Sequence, residues 1–208
     1  MNAQKRFFSA FIVILSIFVI AIGAYYARHA YIDMRNEDGI VVNKQEPYPI
    51  RKNATEVQKE VHASLKEALE SGNKEKVAQY VAEGFLVDYF TWTNKERIND
   101  IGGLQFVHKP LQSWVYDKSL DTFYNDFGYY LNKKNHKNTL EVSEIQSKVK
   151  KTKIYLEEEN REGYVVDAHW QYKDSSVLDI NDFQNSAQVL VLEDDDGYFS
   201  IVEVSINE

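Results

Sequence analysis

The chain has 208 residues and a formal charge of −8, from 24 basic and 32 acidic side chains. That length allows one ordinary domain plus a short second element, and the acidic balance argues against a surface that collects nucleic acid as a whole. With 44% hydrophobic residues, three prolines and no cysteine, the chain is neither disordered nor collagen-like, and disulfides, thiolate metal sites and cysteine nucleophiles are excluded.

No charge interrupts the run from Phe7 to Ala27. As a helix it would span roughly 31 Å at about 1.5 Å per residue, close to the hydrocarbon thickness of a bilayer. Tyr25 and Tyr26 stand at its far end, where aromatic rings sit among headgroups. The run is longer than the core of a secretory signal and reads as a retained transmembrane helix. Ala21-Ile22-Gly23-Ala24 keeps a cleaved signal open as the alternative. Lys5 and Arg6 favour a cytoplasmic tail over residues 1–6, which places the remainder outside the cell membrane. Residues 28–53 contain Gly39, Pro47 and Pro49 and no sustained period, so they read as a stalk. Residues 54–208 read as one extracytoplasmic domain.

The first helix of that domain starts near Thr55, where Thr55 and Gln58 have the spacing of a capping box. Val57, Val61, Leu65, Ala68 and Leu69 then share one face, and Ser71-Gly72-Asn73 stops the helix. A second helix carries Val77, Ala78, Tyr80 and Val81 and resumes through Phe85, Tyr89 and Phe90 after a break at Gly84. Asp100 to Gly103 is a turn, and Pro110 marks a boundary. Ser119 is positioned to cap a third helix through Leu120, Phe123, Phe127, Tyr130 and Leu131, closed by Lys133 and Lys134. From about Val142 the period changes to two. Ile145 to Leu156 is a lysine-rich strand, and Glu157 to Gly163 is read as the turn that follows. Tyr164, Val166, Ala168, Trp170 and Tyr172 form the apolar face of the next strand. Ala187 to Leu192 suits a central strand, and Asp196-Gly197 predicts a hairpin into a last strand, Tyr198 to Ile206. Helices first and four antiparallel strands after them predict an α+β domain, three helices packed on a curved sheet. Thirteen aromatic residues between Tyr80 and Tyr130 suit the wide space between the two layers.

The five histidines, His29, His62, His108, His136 and His169, have no metal-ligand spacing. No nucleophile elbow, phosphate loop or dinucleotide fingerprint is present. A curved sheet under helices can enclose a conical pocket, for which Asp88, Tyr89 and Trp92 are the candidate lining residues. Asp88, Asp100, Asp121, His108 and His169 are the candidate acids and bases, and the apolar neighbours of Asp88 predict a raised pKa. Lys148, Lys150, Lys151 and Lys153 form a weak basic patch. Alternation divides it between two faces, so a solvated edge strand is favoured over a phosphate-binding surface. Glu193 to Asp196 lack the spacing of a calcium loop and read as a hairpin tip.

Short tail, single span, stalk, three helices and a closing sheet form an order that resembles the bitopic scaffold proteins of conjugative type IV secretion systems. The stretch Phe85-Leu86-Val87-Asp88-Tyr89-Phe90-Thr91-Trp92-Thr93 and the closing strand Tyr198-Phe199-Ser200-Ile201-Val202-Glu203-Val204 carry the likeness. The resemblance implies an outer domain of nuclear-transport-factor-2-like fold and a Gram-positive host. It implies a non-enzymatic assembly role with no catalytic residue, metal or cofactor. Other secretion-channel subunits and a second copy of the chain are the implied partners, with no direct binding of nucleic acid. A membrane-anchored enzyme or small-molecule binder using the conical pocket is the alternative.

Overall fold

The computed structural model describes residues 47–131, 136–156, 159–194 and 197–205. The predicted span Phe7–Ala27, most of the stalk, and Lys133 and Lys134 lie outside those residues. Among the described residues no helix is long and apolar enough to cross a membrane.

The domain is α+β. Helix α1 runs Glu56–Ser71 and α2 runs Lys74–Tyr89. Both halves of the capping box form at the start of α1: Gln58 N–H donates to Thr55 Oγ1, and Thr55 N–H donates to Gln58 Oε1. Gly72 ends the helix in the left-handed region, at φ 68°, and Asn73 caps α2 through Lys76 N–H. Helix α2 does not break at Gly84, contrary to the expected interruption. Its missing side chain serves packing, because a Cβ there would lie 2.6 Å from the Phe106 ring. From Val81 to Tyr89 every residue of α2 is buried, so this helix lies at the centre of the domain.

The helix expected from a Ser119 cap begins at Phe123, as α4 over Phe123–Leu131, and a fourth helix that the sequence does not predict, α3 over Gln112–Asp121, precedes it. Thr122, at φ −134° and ψ −104°, interrupts them. Ser119 is therefore no cap. It is buried inside α3, where its hydroxyl donates to Val115 O at 2.7 Å and meets Tyr89 Oη at 3.1 Å.

Four strands follow: β1 Val142–Leu156, β2 Glu159–Tyr172, β3 Ser186–Glu193 and β4 Phe199–Ser205. They pair antiparallel in the order β1-β2-β3-β4. Leu156 pairs with Glu159, so Glu159 to Gly163 belong to β2 and not to the turn. The expected face of β2 is the core face: Tyr164, Val166, Ala168 and Trp170 are buried, together with Ala187, Val189 and Val191 of β3. Strand β3 is an inner strand, as its two-sided apolarity predicts. A smaller cluster of Ile154, Leu192 and Val202 lies apart from the main core. Gly163 makes room for it, because a Cβ there would meet Ile154 Cδ1 at 2.1 Å.

Residues 47–53, read as the end of the stalk, pack into the domain. Tyr48 is 3% exposed and stacks on Phe106 and Tyr198, with ring centroids 5.5 and 4.8 Å away. Its hydroxyl donates to Phe199 O at 2.7 Å and accepts from Phe199 N–H at 3.1 Å. The segment leading in from the predicted membrane anchor is thereby clasped to the start of β4, and the domain begins before residue 54.

Glu83 lies buried where α2 faces β1, accepting from Gln79 Nε2 at 3.0 Å and from Ser147 Oγ at 2.6 Å. Burial pushes its carboxyl up, against the smaller opposing pull of those two hydrogen bonds and of Lys76. The folded chain therefore holds this proton to higher pH than the unfolded chain does. The associated stability is present at low pH and is lost as pH rises through the folded value. Glu83→Gln retains an acceptor for both donors. It will raise the urea midpoint at pH 7 and leave it unchanged at pH 3, measured by unfolding the two proteins side by side.

Candidate functional site

The strongest concentration of charge inside the domain surrounds Asp88, near the C-terminus of α2. Asp88 Oδ1 accepts from Arg51 Nε at 2.7 Å, Lys95 Nζ at 2.9 Å and Gln58 Nε2 at 3.2 Å. Oδ2 accepts from Gly103 N–H at 2.8 Å and Gln105 Nε2 at 3.5 Å. Lys95, whose side chain is fully enclosed, gives its other hydrogens to Asp88 O and Asn94 Oδ1 at 2.8 and 3.3 Å. Arg51 also reaches Asp100 Oδ1 at 2.7 Å, and Asn94 Nδ2 donates to Gln58 Oε1 at 2.8 Å.

Each member is delivered by a local feature of the chain. The incoming segment brings Arg51, the capping box of α1 brings Gln58, and the turn after α2 brings Asn94 and Lys95. The Asp100–Gly103 turn closes the ring. Gly102 is required there because a Cβ would fall 2.2 Å from Asp88 O, and Gly103 adopts φ 80°. Tyr124 of α4 fastens the same turn, accepting from Gly102 N–H at 2.8 Å and donating to Tyr89 O at 3.0 Å.

The electrostatics reverse the sequence expectation for Asp88. Burial alone would push the carboxyl up, but Lys95 and Arg51 together outweigh it and hold the group below the ordinary carboxylate range. Asp88 is thus a fixed anion. Burial pushes the Tyr89 hydroxyl up to about 12, so it stays protonated at neutral pH.

All three candidate pocket residues are buried, Asp88 in the charge cluster and Tyr89 and Trp92 among aromatic rings. Tyr89 is stacked between Phe85 and Phe123, with centroids 5.2 and 5.3 Å away. Trp92 is fully buried against Phe123, Phe127, Tyr130 and Phe183. Asp88 borders a crevice between α1, α2 and residues 49–51, shared with Arg51, Gln58, His62 and Gln105. The crevice encloses about 30 Å³, room for a water molecule or two.

The other candidate acids and bases are dispersed. Asp100 is tied to Arg51. His108 Nδ1 lies 3.0 Å from Ser200 Oγ, beside the edge of β4. Asp121 and His169 are exposed. Glu193 pairs with Lys74 at 2.6 Å, and Asp194 Oδ1 accepts from Tyr198 N–H at 2.7 Å inside the β3–β4 turn. Among the described residues no three acidic or histidine side chains converge as metal ligands. Lys148, Lys150, Lys151 and Lys153 are all exposed on β1, the first strand of the sheet, and Lys151 pairs with Glu162 at 2.8 Å.

Arg51, Lys95 and Tyr48 were not singled out from the sequence. Arg51 and Tyr48 lie in a stretch with no period, and Lys95 sits in the polar run Thr93-Asn94-Lys95-Glu96-Arg97, which looks like a solvated loop. Nothing local distinguishes a lysine that will be enclosed from one that faces water.

Comparison with known proteins finds no matching family profile, no matching curated protein and no matching solved structure.

Proposed function

We propose that this chain is a membrane-anchored, non-enzymatic scaffold of a conjugative type IV secretion channel. Its outer domain, of nuclear-transport-factor-2-like fold, acts through protein–protein contacts with other channel subunits and with a second copy of itself. The order of span, helices and closing sheet supports this reading, as does the α+β domain with its four-stranded antiparallel sheet. The observation that carries it is the state of Asp88. The strongest internal charge cluster accepts hydrogen bonds from five donors and holds four segments of the chain together, which is an architectural use of a carboxylate. The surface is then the working part of the domain.

The test is complementation of a deletion strain in a conjugative transfer assay. Deletion will abolish transfer, and the wild-type chain and His169→Ala will restore it. A version with residues 7–27 replaced by a cleavable signal will be secreted and will fail to restore transfer. Normal transfer by the deletion strain would overturn the reading.

A further inference from the structure

The geometry points to β1 as a docking edge for an acidic, extended segment of a partner protein, which would add to the sheet as a fifth strand. This rests on the reading of the domain as a docking module and names the chemistry of one contact.

Strand β1 is 15 residues long and stands at the edge of the sheet. Among the described residues no other strand pairs with its outer side, so alternate backbone N–H and C=O groups along it face outward. The edge also projects. Strand β3 pairs with β2 only as far as Gly163, whereas β1 and β2 continue as a two-stranded arm from Lys153↔Glu162 to Leu156↔Glu159. Tyr155 on that arm is 70% exposed.

Lys148, Lys150, Lys151 and Lys153 occupy the middle of this edge and are all exposed. Their positions decide between ligands. Pleating puts Lys148 and Lys150 on one face of the sheet and Lys151 and Lys153 on the other. A nucleic-acid backbone lying across one face would meet only half of the charge. A strand added along the edge meets all four, because its side chains alternate in step with those of β1 and sit about 5 Å from them on both faces. Two copies joined β1 to β1 would set lysine against lysine, so the same residues oppose self-pairing through this edge. The complement of Lys148-Val149-Lys150-Lys151-Thr152-Lys153 is a hexapeptide ordered acidic, apolar, acidic, acidic, apolar, acidic. That pattern reads the same in either direction, so it fits a parallel or an antiparallel addition.

The probe is a fluorescein-labelled peptide, Glu-Val-Glu-Glu-Val-Glu with neutral flanks, titrated into the full chain in detergent and read by fluorescence anisotropy. Its binding will weaken about tenfold or more in the chain carrying Lys148→Glu, Lys150→Glu, Lys151→Glu and Lys153→Glu. That variant will instead bind the matching lysine peptide. All four positions are exposed, and an unchanged circular dichroism spectrum will show that the variant folds. N-methylation of alternate peptide residues keeps the charge but removes the ladder donors, and it will abolish binding. Three results would overturn the proposal: no binding of the acidic peptide, undiminished binding of its N-methylated form, or tighter binding of an oligonucleotide of equal charge. If any of these occurs while transfer still requires the anchored chain, the docking surface lies elsewhere and the scaffold reading stands.

Discussion

Asp88→Ala will cost about 3–5 kcal/mol of folding stability, the range for breaking a buried ion pair by removing one partner. The variant leaves the Lys95 ammonium enclosed, with only the backbone oxygen of residue 88 and Asn94 Oδ1 as acceptors, and removes one of the two carboxylate partners of Arg51. It also removes the acceptor for Gly103 N–H, which fixes the turn behind it. Lys95→Met is the milder change, because Asp88 keeps Arg51, Gln58 and Gly103 N–H. Combining Asp88→Asn with Lys95→Met will recover part of the loss, since no unpaired charge then remains inside. Equilibrium urea unfolding of the full chain in detergent measures each value. A loss below about 1 kcal/mol for Asp88→Ala would contradict the architectural role, since that is the scale of one ordinary hydrogen bond. The pH dependence has a definite sign. The folded carboxyl sits below its unfolded value, so its contribution is complete above the ordinary carboxylate range and is lost as pH falls toward the folded value. The acid limb of the stability curve will be shallower in Asp88→Asn than in the wild type.

Trp92→Ala will cost a similar amount, about 3–5 kcal/mol, as expected for removing a large aromatic side chain from a packed core. Trp92 meets rings from α4 and from the segment before β3, and its backbone N–H reaches Leu140 O at 2.7 Å, just before β1. It therefore joins the helical half to the sheet. The contrast with Trp92→Phe sharpens the prediction. Trp92 Nε1 makes no hydrogen bond, so phenylalanine forfeits ring volume but no polar partner and will cost less than half as much. Had Trp92 lined an open pocket, the alanine variant would be nearly neutral and the two substitutions would not separate. Thermal unfolding followed by near-ultraviolet circular dichroism distinguishes these outcomes.

The elements legible in the sequence are those set by neighbours along the chain. The capping box at Thr55 and Gln58, the stop at Gly72 and the alternation from Tyr164 to Trp170 each depend on residues a few positions apart, and each forms where expected. Helix α3 was not legible because only Val115 and Ser119 are buried on it, too few to display a period. Ser119 resembled a cap because caps and enclosed hydroxyls share the same residue types. Gly84 resembled a break, but it is the point where a helix and an aromatic ring come close. The candidate site failed in a related way. Asp88 stands out in the sequence as an acid within an apolar stretch, and it is buried. The sign of its shift depends on Arg51, which is 37 positions away, and on Lys95, which looks like a surface residue. Aromatic rings that line a pocket and rings that fill a core have the same composition, so Tyr89 and Trp92 could be placed only by their neighbours in space. The lysines of β1 mark it as a solvated edge strand in the sequence, and the strand order places it at the edge.

The most direct test of the scaffold assignment is a mild cross-link in native membranes, followed by purification through a C-terminal tag and mass spectrometry. The predicted result is recovery of secretion-channel subunits and a second copy of the chain, with cross-linked peptides from the domain beginning near residue 47. Recovery of the chain alone, as a monomer, in cells that are actively transferring DNA would contradict the assignment.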